Sequence, residues 1–261
     1  MILLRAILSV AILTASTVVF PLAAAADPLP SAVSKQTPLD LFGDGGKYLA
    51  EVTRTGGTHC CYQLRVSKLK EPTKQIDIGS AATFETLKNA PSFKNLDDDP
   101  ALEIVIVDDR YSFRKTAWFS PPFPKVVLDY KDGRFRVSTE LMRKPSVAPK
   151  LLREKAAWAG EDDPQLGRKK IPSDVQGTML DLIYGGNADQ AYEFLAMIPG
   201  VDEGDVTSFS CDFALNLTSS PFWGSIRAMN PYLQDEYNLV QSPEECPEPD
   251  REVLLARFDR L

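Results

Sequence analysis

The sequence predicts an α+β protein, with an antiparallel, β-rich N-terminal half followed by a small helical C-terminal half. Alternation of polar and apolar residues dominates from residue 47 to about residue 138, which is the period of a half-buried strand. After Pro145 the apolar residues recur at helical spacing instead. The chain has 44% hydrophobic residues, enough for a packed core. We therefore divide it into a signal peptide (1–26), an extended lead-in (27–46), a β-rich domain (47–145) and a helical region with an irregular acidic tail (146–261).

The first 26 residues have the composition of a cleavable secretory signal peptide. Arg5 gives the positive start, Ala6–Phe20 is uncharged and apolar, and Ala23–Ala26 offers the small residues that a signal peptidase requires. The apolar run is about 15 residues, shorter than the roughly 20 of a spanning helix. These features predict a periplasmic or secreted protein that begins at Asp27. No later stretch is apolar enough to cross a bilayer, so we expect no membrane span after cleavage.

Charge and histidine content exclude several classes of function. The chain has 29 basic and 36 acidic residues, a net charge of −7, and loss of Arg5 with the signal peptide makes it −8. That charge repels nucleic acid and anionic membranes unless a local basic patch is present. The best candidate patch, Arg168-Lys169-Lys170, is interpreted as a solvated linker. The single histidine, His59, excludes every metal site that needs several histidines.

The β-rich half contains five segments with strand patterns. Its clearest turn is Lys131-Asp132-Gly133, because glycine accepts positive φ in a tight hairpin. Leu102–Val107 is apolar and β-branched except at Glu103, as in a strand buried on both faces. The predicted strands are 47–53, 60–66, 102–107, 125–130 and 134–138.

In the helical half, Asn187 is predicted to cap the second of two helices that form an antiparallel pair. Gly185-Gly186 ends the first of the two. The predicted helices cover 151–158, 175–183, 188–198, 206–217 and 222–229. The tail from Gln241 to Asp250 is rich in Pro and Glu and is predicted to be irregular.

Four cysteines in an exported chain suggest disulfides. We favour a Cys211–Cys246 bond, which ties the acidic tail to the helical half. Cys60 and Cys61 are adjacent, and neighbouring Cα atoms lie closer than the usual disulfide range. Three alternatives stay open there: the strand breaks, each cysteine bonds elsewhere, or one stays free.

One acidic stretch carries the clearest chemistry. Oxygen-bearing side chains alternate at Asn95, Asp97 and Asp99, Glu103 follows four residues later, and a buried strand comes next. This spacing resembles the calcium loop of FG-GAP/VCBS repeats, the blades of integrin-like propellers. The resemblance implies a calcium site with these four residues as ligands, in a blade-like sheet rather than a full propeller.

The stretch also departs from that family. Asp98 and Pro100 replace its two glycines, and Asn95 replaces its first aspartate. Phe42–Gly46 only hints at a second copy. The alternative interpretation is a solvated acidic turn before a core strand.

Three functional hypotheses follow. The leading one is an exported, non-catalytic binding or envelope-accessory protein that binds an unidentified protein or envelope component and is stabilised by calcium. The second is a hydrolase of envelope polymers that uses the carboxylates of Glu103, Asp108 or Asp109. The third is a thiol-redox or metal-handling protein built on His59, Cys60 and Cys61.

Overall fold

The computed structural model describes residues 36–55, 62–84, 90–111, 123–159, 173–201, 203–235, 239–240 and 246. The predicted signal peptide lies outside the described residues, and so do His59, Cys60 and Cys61. In the described part, antiparallel sheets make up the N-terminal half and helices the C-terminal half, so the predicted α+β class is confirmed.

The β half consists of two antiparallel sheets, each built around a meander of four strands in sequence order. A short additional strand, β5, pairs with β3 in the first sheet. The first sheet contains β1 (Gln36–Leu39), β2 (Tyr48–Arg54), β3 (Tyr62–Lys68), β4 (Glu71–Ile76) and β5 (Thr83–Phe84). The second sheet contains β6 (Ser92–Lys94), β7 (Glu103–Val107), β8 (Lys125–Lys131) and β9 (Arg134–Val137).

The two meanders share their register. In the first hairpin of each, the loop is closed by the pair Leu39–Tyr48 or Lys94–Glu103, so both loops are eight residues long. In the last hairpin, Lys68 pairs with Glu71 and Lys131 pairs with Arg134, so each turn holds two residues. The chain therefore repeats one four-stranded meander, and the loop around Phe42–Gly46 occupies the same place in the first copy as the acidic loop in the second.

Side-chain pattern and turn chemistry explain the second meander. Val126, Val127 and Leu128 of β8 are buried, as are Ile104 and Ile106 of β7. At the β8–β9 turn, Asp132 and Gly133 both have positive φ, 53° and 82°. Such a pair matches the right-handed twist of the flanking strands.

The helical half packs around an antiparallel pair, α3 and α4, that begins and ends close to the predicted boundaries. Asn187 stands at the N-cap of α4, but its side chain does not cap the helix. Instead its oxygen accepts from the Ser146 hydroxyl at 3.3 Å, and its nitrogen donates to the carbonyls of Lys144 and Gly185. The predicted capping role is therefore corrected. The helices are α1 (Thr139–Met142), α2 (Pro149–Ala159), α3 (Ser173–Ile183), α4 (Ala188–Ala196), α5 (Glu203–Thr218) and α6 (Trp223–Met229).

A buried carboxylate connects the β half to the helical half. Asp108 follows β7 and is 2% exposed. Its Oδ2 accepts hydrogen bonds from the hydroxyl of Tyr184, at 2.6 Å, and from that of Ser220, while its Oδ1 accepts from the Arg110 N–H. Burial raises the pKa of Tyr184 well above its usual value, so its hydroxyl remains a donor. Residues more than 70 positions apart in the sequence are thereby held together.

The predicted disulfide between Cys211 and Cys246 is confirmed. Cys211 lies on α5, and both cysteines are buried. The bond closes a segment of 35 residues, which contributes about 4 kcal/mol in the chain-entropy model. It fixes residue 246 to the helical core.

Removal of either hydroxyl that donates to Asp108 is expected to destabilise the protein. Hydrogen bonds to a charged group contribute roughly 1.5–3 kcal/mol, so Tyr184→Phe and Ser220→Ala should each lower the free energy of unfolding by about that amount. Because the two donors share one oxygen, the double variant should differ from the sum of the single ones. Urea denaturation measures all three, with the exposed Tyr130→Phe as the control. A loss no larger than that of Tyr130→Phe would contradict the role given to Asp108.

Candidate metal centre

The acidic loop, residues 95–102, joins β6 to β7 and is curled by its own side chains. Asp97 Oδ1 accepts from the Asp99 N–H at 3.0 Å, and Asp99 Oδ1 accepts from the Ala101 N–H at 2.7 Å. Each bond spans two residues, as in an Asx turn. The second bond reaches past Pro100, which has no N–H to donate, so proline is compatible with the curl.

Three of the four predicted ligands converge. One carboxylate oxygen from each of Asp97, Asp99 and Glu103 lies within 4.8 Å of the others. Asn95, the fourth predicted ligand, donates its amide hydrogen to the Asp99 carbonyl and so braces the loop. Carboxylate oxygens at this separation can all reach one cation, since Ca²⁺–O distances are about 2.3–2.6 Å.

Glu103 is the unusual member of the cluster because it is 1% exposed. Its Oε2 accepts from the Leu96 N–H at 2.6 Å, whereas its buried Oε1 has no hydrogen-bond partner among the described residues. Burial raises the pKa of this carboxyl, and the negative charges of Asp97 and Asp129 raise that pKa further. The Leu96 N–H opposes the shift. A cation bound by this carboxyl would offset the electrostatic cost of its burial.

In the first meander the equivalent loop, residues 40–47, is followed by a tyrosine where the acidic loop is followed by Glu103. Tyr48 opens β2 as Glu103 opens β7, and its hydroxyl donates to Asp44 Oδ2 at 3.1 Å. Asp44 is the positional counterpart of Asp99. The first loop is thus closed by a hydrogen bond from a hydroxyl to a carboxylate. In the acidic loop the corresponding groups, Glu103 and Asp99, are both carboxylates. Two facing carboxylates need a cation or a proton between them.

The two loops also contact each other. The Leu102 N–H donates to the Leu41 carbonyl at 2.9 Å. Gly43 has a φ of +64°, and a Cβ built there would lie 2.4 Å from the Cβ of Pro100. Only glycine fits this approach, so the first loop supports the acidic one from the side.

A neighbouring ion pair completes the electrostatic surroundings. The largely buried Asp129 on β8 is bonded to Lys131 Nζ at 2.7 Å. The hydrogen bond from Lys131 to Asp129, with the charge of that carboxylate, raises the pKa of Lys131. Because this lysine already pairs with Asp129, the acidic loop keeps an excess of negative charge.

Two of the carboxylates of the predicted hydrolase, those of Glu103 and Asp108, are not brought together. Glu103 begins β7 and Asp108 follows its end, which places them roughly 17 Å apart along a strand that rises about 3.4 Å per residue. Glycosidase carboxylates lie about 5–9.5 Å apart. Asp108 is also occupied by the two hydroxyls described above.

Sequence reasoning missed the Tyr48–Asp44 bond and the duplication to which it belongs. The signal is a spacing of 55 residues, which relates Asp40, Asp44 and Tyr48 to Asn95, Asp99 and Glu103. It is hard to detect because tyrosine and glutamate share no chemistry. The correspondence is seen only in the sheets, where Tyr48 pairs with the last residue of β1 and Glu103 pairs with the last residue of β6.

Together these features define an α+β protein with a duplicated β-meander and an acidic hairpin loop that can hold a cation. The chain matches no known family model, no curated protein and no solved structure. No helix among the described residues is both long enough and apolar enough to cross a bilayer.

Substitution of Gly43 tests the contact between the two loops. Gly43→Ala adds a Cβ that collides with Pro100 and also forces alanine into positive φ, which costs about 1–2 kcal/mol by itself. Gly45→Ala is the matched control, since Gly45 has a φ of +74° and nothing within 4 Å of the added Cβ. We expect Gly43→Ala to lower the free energy of unfolding by about 1–3 kcal/mol more than Gly45→Ala, as measured by urea denaturation. Equal losses would show that the loops do not support each other.

The raised pKa of Glu103 predicts a specific dependence of stability on pH in the absence of metal. The native state binds the Glu103 proton more tightly than the unfolded state does, so the free energy of unfolding should fall as pH rises from 4.5 through the raised native pKa. Glu103→Gln should remove that slope in EDTA, whereas the exposed Asp98→Asn should retain it. The lowered pKa of Asp44 acts below 3.8 and the raised pKa of Lys131 acts above 10.5, outside this window. An identical slope in Glu103→Gln would exclude Glu103 as its source.

Proposed function

We propose that this chain is an exported, non-catalytic accessory protein that binds calcium at its acidic loop. The observation that carries the proposal is the buried Glu103 carboxyl, which has one oxygen without a hydrogen-bond partner among the described residues and lies beside Asp97 and Asp99. A buried charge without a partner is costly, and a site arranged in this way gains stability when a cation enters. The proposal treats the loop as a structural site, in which the ion fixes the second meander.

The ligand set favours calcium over transition metals. Every side chain in the cluster offers carboxylate oxygen, and zinc or copper sites normally include imidazole or thiolate. Calcium accepts six to eight oxygens in loose geometry, so carbonyls of the curled loop and water can complete its shell. Magnesium requires near-ideal octahedral geometry at shorter distances, which a hairpin loop does not readily supply.

Two features support export. The N-terminal segment 1–26 has the order of charge, apolar run and small residues that a signal peptide requires. The Cys211–Cys246 disulfide belongs to the chemistry of oxidising compartments. Calcium modules outside the cytoplasm bind with dissociation constants on the order of 10⁻⁴–10⁻³ M, and three carboxylates suit that range. The binding partner in this proposal is a protein or another envelope component.

The proposed ion would also stabilise the contact between the acidic loop and the first loop. Neutralising Glu103 and Asp99 fixes the loop that meets Gly43 through Pro100. Calcium would therefore stabilise the interface of the two loops. No observation in the described residues favours the hydrolase, and the residues of the thiol-redox hypothesis lie outside them.

Thermal unfolding of the oxidised protein in EDTA and in millimolar calcium tests the proposal. Millimolar calcium at ten times the dissociation constant adds about 1.4 kcal/mol, which for a chain of this size raises the melting temperature by roughly 3–6 °C. Asp97→Asn with Asp99→Asn should abolish the shift, because both carboxylates belong to the cluster. Asp98→Asn is the matched control, since it lies between them, outside the cluster, and should keep the shift.

The outcomes separate the alternatives. A calcium shift lost only in the Asp97/Asp99 variant establishes the acidic loop as the site. An equal shift with magnesium at the same concentration would contradict selectivity for calcium. If neither ion raises the melting temperature, the loop is a solvated acidic turn and not a metal site.

A further inference from the structure

Helix α2 leaves large apolar side chains in solvent. Its inner face, formed by Leu152, Ala156 and Ala159, is buried, and the helix packs against α4. Its outer side carries Leu151, 47% exposed, and Trp158, 74% exposed. These residues are seven positions apart, two helical turns, so they stand on one face about 10 Å from each other. Trp158 is the most exposed of the large apolar side chains in the described part of the chain.

The chain segment that contains most of α2 is also a basic patch. Residues 143–155 contain five basic side chains and one acidic one, a net charge of +4 in a chain of net charge −7. All five basic residues are exposed. The acid, Glu154, lies 3.9 Å from Lys150, and both side chains are solvated, so this pair neutralises little. The basic residues are Arg143, Lys144, Lys150, Arg153 and Lys155.

We infer that the outer side of α2 docks onto an anionic lipid membrane surface. In this arrangement the helix lies parallel to the surface, with Trp158 and Leu151 entering the headgroup region. Lys155 borders the apolar pair on one side, and Lys150 lies beyond the exposed Glu154 on the other, so that both lysines contact lipid phosphates. Amphipathic helices that lie on membranes combine these features: tryptophan and leucine on one side, and lysine or arginine beside them.

Charge and shape favour lipid over an acidic protein as the occupant. The patch is positive and the rest of the chain is negative, so attraction to an anionic surface orients the molecule with α2 towards it. Leu151 and Trp158 project singly from a convex helix, and a fluid interface accepts such side chains without a matching pocket. This inference does not depend on the calcium site.

Cosedimentation with vesicles tests the inference. Oxidised protein in EDTA and 50 mM salt is mixed with vesicles of equal parts phosphatidylglycerol and phosphatidylcholine, or of phosphatidylcholine alone. EDTA prevents calcium from bridging the acidic loop to lipid. We expect binding to the anionic vesicles and at least tenfold weaker binding to the neutral ones, with release at 500 mM salt.

Two variants and a matched control assign the binding to α2. Lys150→Gln with Lys155→Gln should weaken it about 25-fold, since each basic residue near such a surface contributes roughly fivefold. Leu151→Ala with Trp158→Ala should weaken it at least about tenfold. The control carries Lys68→Gln, Leu69→Ala and Lys70→Gln, three exposed residues at the β3–β4 turn, and should bind as the unaltered protein does.

Far-ultraviolet circular dichroism establishes that each variant is folded. The inference is overturned if the unaltered protein binds neither vesicle, binds both equally, or binds as well after either pair of α2 substitutions. Retention on immobilised polyglutamate without vesicle binding would also overturn it, and would identify an acidic protein as the partner.

Discussion

A buried carboxylate at each end of β7 constrains this molecule. At the far end, Asp108 is satisfied by hydroxyls from Tyr184 and Ser220, which holds the helical half on the second sheet. At the near end, Glu103 receives one backbone N–H and keeps an oxygen without a partner among the described residues. Burial of a carboxylate is costly unless its oxygens are bonded. One end is therefore completed by the fold, and the other is left for a proton or a cation to complete.

The period of the apolar residues was sufficient to predict the class and most elements. Val126 to Leu128 and the Asp132-Gly133 turn determine their hairpin locally, and the paired helices α3 and α4 follow from apolar spacing and the Gly185-Gly186 break. The predicted Asn187 cap is wrong because the side-chain oxygen that would accept from the helix accepts instead from the hydroxyl of Ser146, 41 residues away. Local propensity cannot anticipate such a competitor, since the competitor exists only once the chain has folded.

The sequence likewise predicts one part of the candidate site and not the other. Alternating oxygens at residues 95, 97 and 99 identify a loop that can face a cation, because the spacing is local. The burial of Glu103 is not local, since it depends on the pairing of β6, β7 and β8. Asp98, between two members of the cluster, has the same side chain and lies outside it. Composition gives the charge of the loop, and tertiary structure decides which carboxylates must be neutralised.

The two meanders differ in the pair of side chains that meet where the second strand begins. Where the second strand begins, the side chain faces an aspartate four residues back, and the pair must not repel. Tyr48 meets this requirement with a hydroxyl that donates to Asp44, so this contact of the first loop needs no cation. Glu103 faces Asp99 as a second acceptor, so closure of the acidic loop depends on its surroundings. Because Gly43 and Pro100 join the loops, the metal-independent copy gives the other a fixed support against which an ion can be held.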